Sequence, residues 1–238
     1  MSLALAHKRR VQEQGATAVA QVAAAAALPY SPGEALGSPA NARKHLKLME
    51  ASLDEDLARL KAIPSLAGKQ DLKRTELLPK YQDYVSRYIE SGQILQNRVL
   101  VQVMVWLFDT AQFDDALELA DIAIEQGQLM PERFKRTIQT FVGDAIGDWA
   151  YAEYDAGRSP EPYLSNLLPR VDGEWTVPEQ IPSKFHKLIG MRAMDDEQWE
   201  VALQHLERAT ALYPKAGCST RIEKCRRALA RQAAGGTE

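Results

Sequence analysis

The chain has 238 residues, 45% of them hydrophobic and 26% charged, which excludes global disorder and predicts one to two globular domains. Its net charge of −3 excludes a uniformly basic nucleic-acid binder, but the charge is unevenly spread. Residues 1–91 carry 13 Lys/Arg against 10 Asp/Glu, whereas residues 92–160 carry 5 against 11. Near the end, Arg221, Lys224, Arg226, Arg227 and Arg231 face Glu223 alone. Basic ends around an acidic middle suggest terminal arms that meet an anionic partner.

Helical patterning covers almost the whole chain and predicts an all-α fold. An Ala-rich helix is expected over 3–27, opened by Lys8, Arg9 and Arg10 and stopped by Pro29. Basic residues before alanines resemble a secretion signal superficially, but Gln12, Glu13, Gln14, Thr17 and Gln21 interrupt the run. Residues 29–40, rich in Pro and Gly, read as a linker. Asn41 is a candidate cap for an amphipathic helix running to about Ile63. Its apolar stripe is Leu46, Met49, Leu53, Leu57, Leu60 and Ile63. That stripe suits either an oligomer contact or packing within the subunit against 72–89. Pro64 stops this helix, Gly68 precedes a second over about 69–91, and Pro79 is expected to break or kink it.

Further helices are expected at 94–109, 113–126 and from Pro131 to Gly157, the first of them buried despite its alternating valines. The proline-rich stretch 158–182 reads as irregular. Helices at 183–194, 197–212 and about 216–233 complete the pattern, before a disordered tail at 234–238. Residues 183–214 fit a tetratricopeptide-like helical hairpin. Ile189-Gly190 takes the packing pair, Trp199 the aromatic after the turn, Ala202 and Ala209 the small crossing residues, and Pro214 the end. Residues 97–128 match more weakly through Phe113, Ala116 and Ala123. The expected divisions are a basic arm and linker at 1–40, a helical pair at 41–92 for DNA binding or oligomerisation, and a hairpin domain at 93–233.

Chemistry-bearing motifs are sparse. No Gly-rich phosphate loop, nucleophile elbow or Cys/His metal spacing occurs, and no cofactor motif is present. Cys218 and Cys225 read as reduced thiols. Asp54-Glu55-Asp56, Asp114-Asp115 and Asp195-Asp196-Glu197 suit helix starts and solvated faces better than a two-metal centre. His186 and His205 are placed to approach across the hairpin, as packed or surface side chains. The basic sets are the candidate DNA contacts: Lys8, Arg9 and Arg10; Arg43, Lys44 and Lys47; Lys69, Lys73 and Arg74. Such residues would hold phosphates and confer salt-dependent affinity, and a solvated face with ion pairs is the equal alternative.

Several blocks carry a family resemblance. They are Leu60-Lys61-Ala62-Ile63, Glu76-Leu77-Leu78-Pro79, Met104-Val105-Trp106-Leu107-Phe108-Asp109-Thr110, Ala116-Leu117-Glu118-Leu119-Ala120, Leu129-Met130-Pro131, Lys184-Phe185-His186-Lys187-Leu188-Ile189-Gly190, and Ala202 through Thr210. In order and spacing over about 46–227, the chain resembles the small terminase subunit of temperate tailed phages, also called the terminase endonuclease subunit. The resemblance implies recognition of double-stranded viral DNA at the packaging site and recruitment of the large ATPase subunit that cuts and packages it. It also implies a homo-oligomer at work in the host bacterial cytoplasm, with no membrane partner. An endonuclease role is implied by the family name alone, and Mg²⁺ only for cleavage by the assembled holoenzyme. The alternative is an α-helical adaptor that binds the large subunit or portal without recognising DNA.

Overall fold

A computed structural model describes residue 36 and residues 38–235, and among them it contains helices and no strand. The expected helix at 3–27, with Lys8, Arg9 and Arg10, lies outside the described residues. The chain divides into two compact units, Met1–Trp106 and Leu107–Glu238.

In the N-terminal unit, α1 spans Pro39–Ala62. Its cap is Ser38, whose Oγ accepts the Asn41 N–H at 3.2 Å; Asn41, the expected cap, already lies in the first turn. Pro39 at the first helical position loses no hydrogen bond, so the helix starts inside the expected linker. Leu46, Leu53 and Leu60 are buried, and the His45 ring meets the Tyr84 ring edge-on at 5.2 Å. The leucine stripe is therefore engaged within the subunit. Ile63, held extended ahead of Pro64, ends the helix.

Helix α2, Leu66–Leu72, begins earlier than expected because Ser65 caps it, accepting the Gly68 N–H at 3.1 Å. A π-helical turn at Lys73–Leu77 leads into α3, Leu78–Glu90, with Pro79 in its first turn. A proline ring clashes with the carbonyl four residues back, and the wider turn relieves that clash without breaking the run. Gly92, at φ +63°, ends α3 as a left-handed cap. Asn97 starts α4, Arg98–Asp109: its Oδ1 accepts the Leu100 N–H, and its Nδ2 donates to the Tyr84 hydroxyl. Every residue from Val99 to Phe108 is buried, as expected for a core helix.

The C-terminal unit holds α5 (Phe113–Glu125), α6 (Ile138–Asp155), α7 (Tyr163–Pro169), α8 (Gln180–Asp195), α9 (Trp199–Leu212) and α10 (Ser219–Gly235). Pro131 does not open a helix: 131–137 is irregular, and α6 begins where the Thr137 hydroxyl accepts the Thr140 N–H. The proline-rich stretch is not wholly irregular, since α7 forms within it. Tyr163 packs edge-on against Phe113 and Trp149 at 5.1 and 5.6 Å between ring centres, which holds α7 on α5 and α6.

Two turns share one backbone course. Ala111 (φ 58°) and Glu197 (φ 56°) are both left-handed. Gln112 and Gln198 follow with near-identical angles, and their N–H groups return to Leu107 and Ala193. Phe113 and Trp199 then begin the next helices. Ala116 and Ala123, like Ala202 and Ala209, are fully buried at matching places. The internal similarity read from sequence thus has a common turn geometry, with buried alanines at matching places in both stretches.

Candidate nucleic-acid interface

The first turn of α1 contains no acid, and Arg43, Lys44 and Lys47 follow it with exposed side chains. Arg43 and Lys47 share one face by helical spacing.

The second predicted basic set is not a single patch. Lys69 is half-buried, Lys73 is 8% exposed within the π-helical turn, and Arg74 is exposed near Gln70. The Lys73 N–H still reaches the Lys69 carbonyl at helical spacing, so the two stay one turn apart, and it is the burial of Lys73 that keeps them from forming one exposed pair. Of the described candidates, the structure brings together only Arg43, Lys44 and Lys47 as neighbouring exposed side chains.

Several other cations of this unit pair with carboxylates. Arg98 meets Asp54 at 2.7 Å, Arg87 meets Asp83 at 2.8 Å, and Arg59 meets Glu76 at 2.6 Å. Asp56 is the centre of this arrangement. It is 2% exposed and accepts from Arg59 at 2.9 Å, Lys80 at 2.6 Å and the Tyr81 hydroxyl at 2.8 Å. Burial pushes its carboxyl pKa up, but the three hydrogen bonds outweigh that, and it lies below the usual carboxylate range.

A second polar network occupies the C-terminal unit. Arg208 donates twice to Asp172, whose Oδ2 lies 2.9 Å from His186 Nε2. His186 Nδ1 in turn lies 2.9 Å from His205 Nδ1. Burial lowers both histidine pKa values, so the pair is neutral at pH 7. A carboxylate only accepts, so His186 donates through Nε2 and His205 donates through Nδ1 to His186. The histidines do meet, as the sequence suggested, but in a partly buried structural network anchored by Asp172. Asp172 could not be linked to them by spacing, because it sits in the non-helical kink at Arg170–Glu174.

The unfolded histidines titrate near pH 6.5, above their folded values, so protons bind the unfolded state first. Stability should therefore be complete above about pH 6.5 and fall as pH drops below it. Thermal melting at pH 7 and pH 5 checks this, and His205→Asn should flatten the difference. An unchanged pH profile in the variant would remove the pair as the cause.

Acidic pairs elsewhere serve local contacts. Asp114 accepts the Tyr163 hydroxyl at 3.0 Å, and Asp195 accepts that of Tyr154 at 2.7 Å. Among the described residues, no group of three or more His, Cys, Asp or Glu side chains is placed to hold a metal ion. The donor set therefore does not fit a nuclease metal centre there. Nor is any helix among them long and apolar enough to cross a membrane.

Comparison with known proteins bears on this arrangement. The family described as phage small terminase subunit matches residues 50–180. The probable terminase endonuclease subunit of Haemophilus phage HP1 (strain HP1c1) is 37% identical over 191 residues, covering 75% of this chain and 68% of that protein. The terminase endonuclease subunit of Escherichia phage P2 is 33% identical over 181 residues, covering 76% and 73% respectively. No solved structure matches. A match over more than half of the chain, with two relatives aligned over most of their own length, means that this chain belongs to the phage small terminase subunit family.

Proposed function

We propose that the chain binds double-stranded viral DNA at the packaging site and directs a large ATPase subunit to cut and package the genome in the host bacterial cytoplasm. The observation that carries the DNA contact is that Arg43, Lys44 and Lys47 stand as exposed cations within five residues of α1. Lys8, Arg9 and Arg10 would add further contacts, and Lys69 and Arg74, which follow the other end of α1, would make separate ones. Lys73 is set aside by its burial. The cut is assigned to the assembled terminase, with its Mg²⁺ held outside the described residues of this chain. A homo-oligomer remains part of the proposal, but the leucine stripe of α1 does not supply its contact.

Phosphate contacts release counterions, so affinity should depend steeply on salt. Reversing Arg43, Lys44 and Lys47 to Glu should weaken DNA retention and reduce the slope of log affinity against log salt by about 3. A mobility titration of the purified chain at several salt concentrations, with and without Mg²⁺, measures both. An unchanged slope would remove this patch. Cutting of DNA by the chain alone, seen on a denaturing gel, would overturn the assignment of cleavage.

A second reading, an adaptor without direct DNA recognition, is favoured by a cationic groove in the C-terminal unit. It predicts no salt-sensitive DNA retention by the chain alone.

A further inference from the structure

In the C-terminal unit, α10 forms an open groove of about 840 Å³ with residues of α6, α8 and the start of α9. Its lining begins at Tyr154 and resumes at Met191, so most of it lies beyond the residues that match the terminase family. One wall is a cationic ladder. Arg221, Lys224 and Arg231 stand at spacings of 3 and 7 on α10, with Ala228 between them, and these spacings place all four on one helix face. Arg227 also lines the groove, with its guanidinium held beside Glu223 at 4.0 Å. From Arg221 to Arg231 the ladder is about 15 Å long.

The neighbouring cation on α10 behaves differently. Arg226 points away to Glu207 and makes an ion pair at 2.6 Å. Within the groove the carboxylate lining is Asp195, and it is occupied by the Tyr154 hydroxyl. Burial, with Asp195 beside it, pushes the Tyr154 pKa up to about 12, so that hydroxyl stays a donor. The ladder thus faces the groove with a net positive charge.

The floor is apolar. Met191, Met194 and Trp199 line it, and Lys224 Nζ lies 5.8 Å from the centre of the Trp199 ring. A row of cations beside thioethers and an indole fits a ligand with two characters on adjacent faces. Carboxylates would meet the ladder, while an aromatic or large aliphatic side chain would enter between the methionines and Trp199. A phosphate backbone uses the cations but gains nothing from the apolar floor.

We propose that this groove docks an acidic, amphipathic segment of a partner protein, with carboxylates spread over about 15 Å and an apolar anchor between them. The surface does not depend on whether the N-terminal unit binds DNA.

The test is selection of a random 15-residue peptide display library on the full chain, followed by titration of the recovered peptides, synthesised with a fluorophore. The expected result is enrichment of Asp and Glu together with at least one aromatic or large aliphatic residue. The exposed side chains Lys224 and Arg231 allow charge changes without disturbing the core. Lys224→Glu with Arg231→Glu should weaken binding at least about tenfold, and raised salt should weaken binding to the unaltered chain. Circular dichroism checks the fold, and the milder pair Lys224→Gln with Arg231→Gln serves if the reversal disturbs it. A 15-nucleotide single strand and a 15-base-pair duplex are titrated alongside. The proposal is overturned by any of three results. These are recovery of no acidic consensus, peptide binding indifferent to both variant pairs, or ladder-dependent binding of the oligonucleotides but not of the peptides. DNA retention by the N-terminal patch is read separately, from the Arg43, Lys44 and Lys47 variant.

Discussion

Replacing Asp56 with alanine should destabilise the N-terminal unit by about 3 kcal/mol, more than removal of either cationic partner. The asymmetry follows from burial. Arg59 and Lys80 are half-exposed and can return to water when the carboxylate goes. The Tyr81 hydroxyl cannot, because its side chain is fully buried; it would be left without this acceptor at a cost of about 1–3 kcal/mol. The cavity left beneath α1 adds to that. Lys80→Met should cost only about 1 kcal/mol, since the carboxylate keeps Arg59 and Tyr81. Urea titration combined with hydrogen exchange of the α1 and α3 amides measures both effects. Equal losses in the two variants would mean that Asp56 is an ordinary surface partner.

The same residue has a pH signature of defined sign. Its folded pKa lies below the unfolded value of about 3.9, so its contribution is present above that pH and lost as pH falls through the folded value. The gap between the native chain and Asp56→Ala should therefore hold from pH 7 to about pH 4 and close below it. This window lies well below the histidine one, so the two networks separate in a single acid titration.

Asp56 also shows where sequence reading stops. Three consecutive acids on an amphipathic helix look like a solvated face, and for Asp54 and Glu55 that is what they are. Asp56 differs because Tyr81, 25 residues later, comes down on it, and no local period records that meeting. Local signals were legible where local physics decides the outcome. Pro64, Gly92 and the buried run of α4 fall where expected, and so does the alanine pair of the α8–α9 hairpin. Helix starts were less legible, because Ser38, Ser65 and Thr137 took the capping role from nearby candidates. Helix α7 was hidden by the surrounding prolines, since what holds it is a ring contact to Phe113, 50 residues earlier in the chain. The charges behaved similarly. The α10 cations were visible as a cluster, but their division between Glu207 and a groove depends on what α6, α8 and α9 place beside them.

Substituting Gly190 with leucine should unfold the α8–α9 hairpin, with an expected loss above about 3 kcal/mol. A β-carbon at this position would lie 2.8 Å from Leu206 Cγ and 3.1 Å from the Ala202 carbonyl oxygen. Leu206 Cγ is a branch point inside the core, and the carbonyl belongs to the backbone of α9, so neither yields without moving the helix. Gly190→Ala tests the graded form of the argument. It gains about 1 kcal/mol in helix propensity and loses about 1–3 kcal/mol to overpacking, so a small net loss is expected. A stabilised alanine variant in thermal melts would show that the crossing has slack. The same geometry restricts how function can be dissected. Ala202 has no exposed surface and lies in a core that includes Ala193, Leu206, Ala209, Cys218 and Cys225. Ala202→Arg would therefore place an unpaired charge in that core and unfold the unit, rather than remove a binding surface. Because α10 packs on α9 through this core and carries the cationic ladder, Gly190→Leu should lose any peptide bound in the groove together with the fold. Lys224→Glu with Arg231→Glu should lose the peptide alone. A Gly190→Leu chain that melts like the native protein would refute the close crossing and, with it, the shape assigned to the groove.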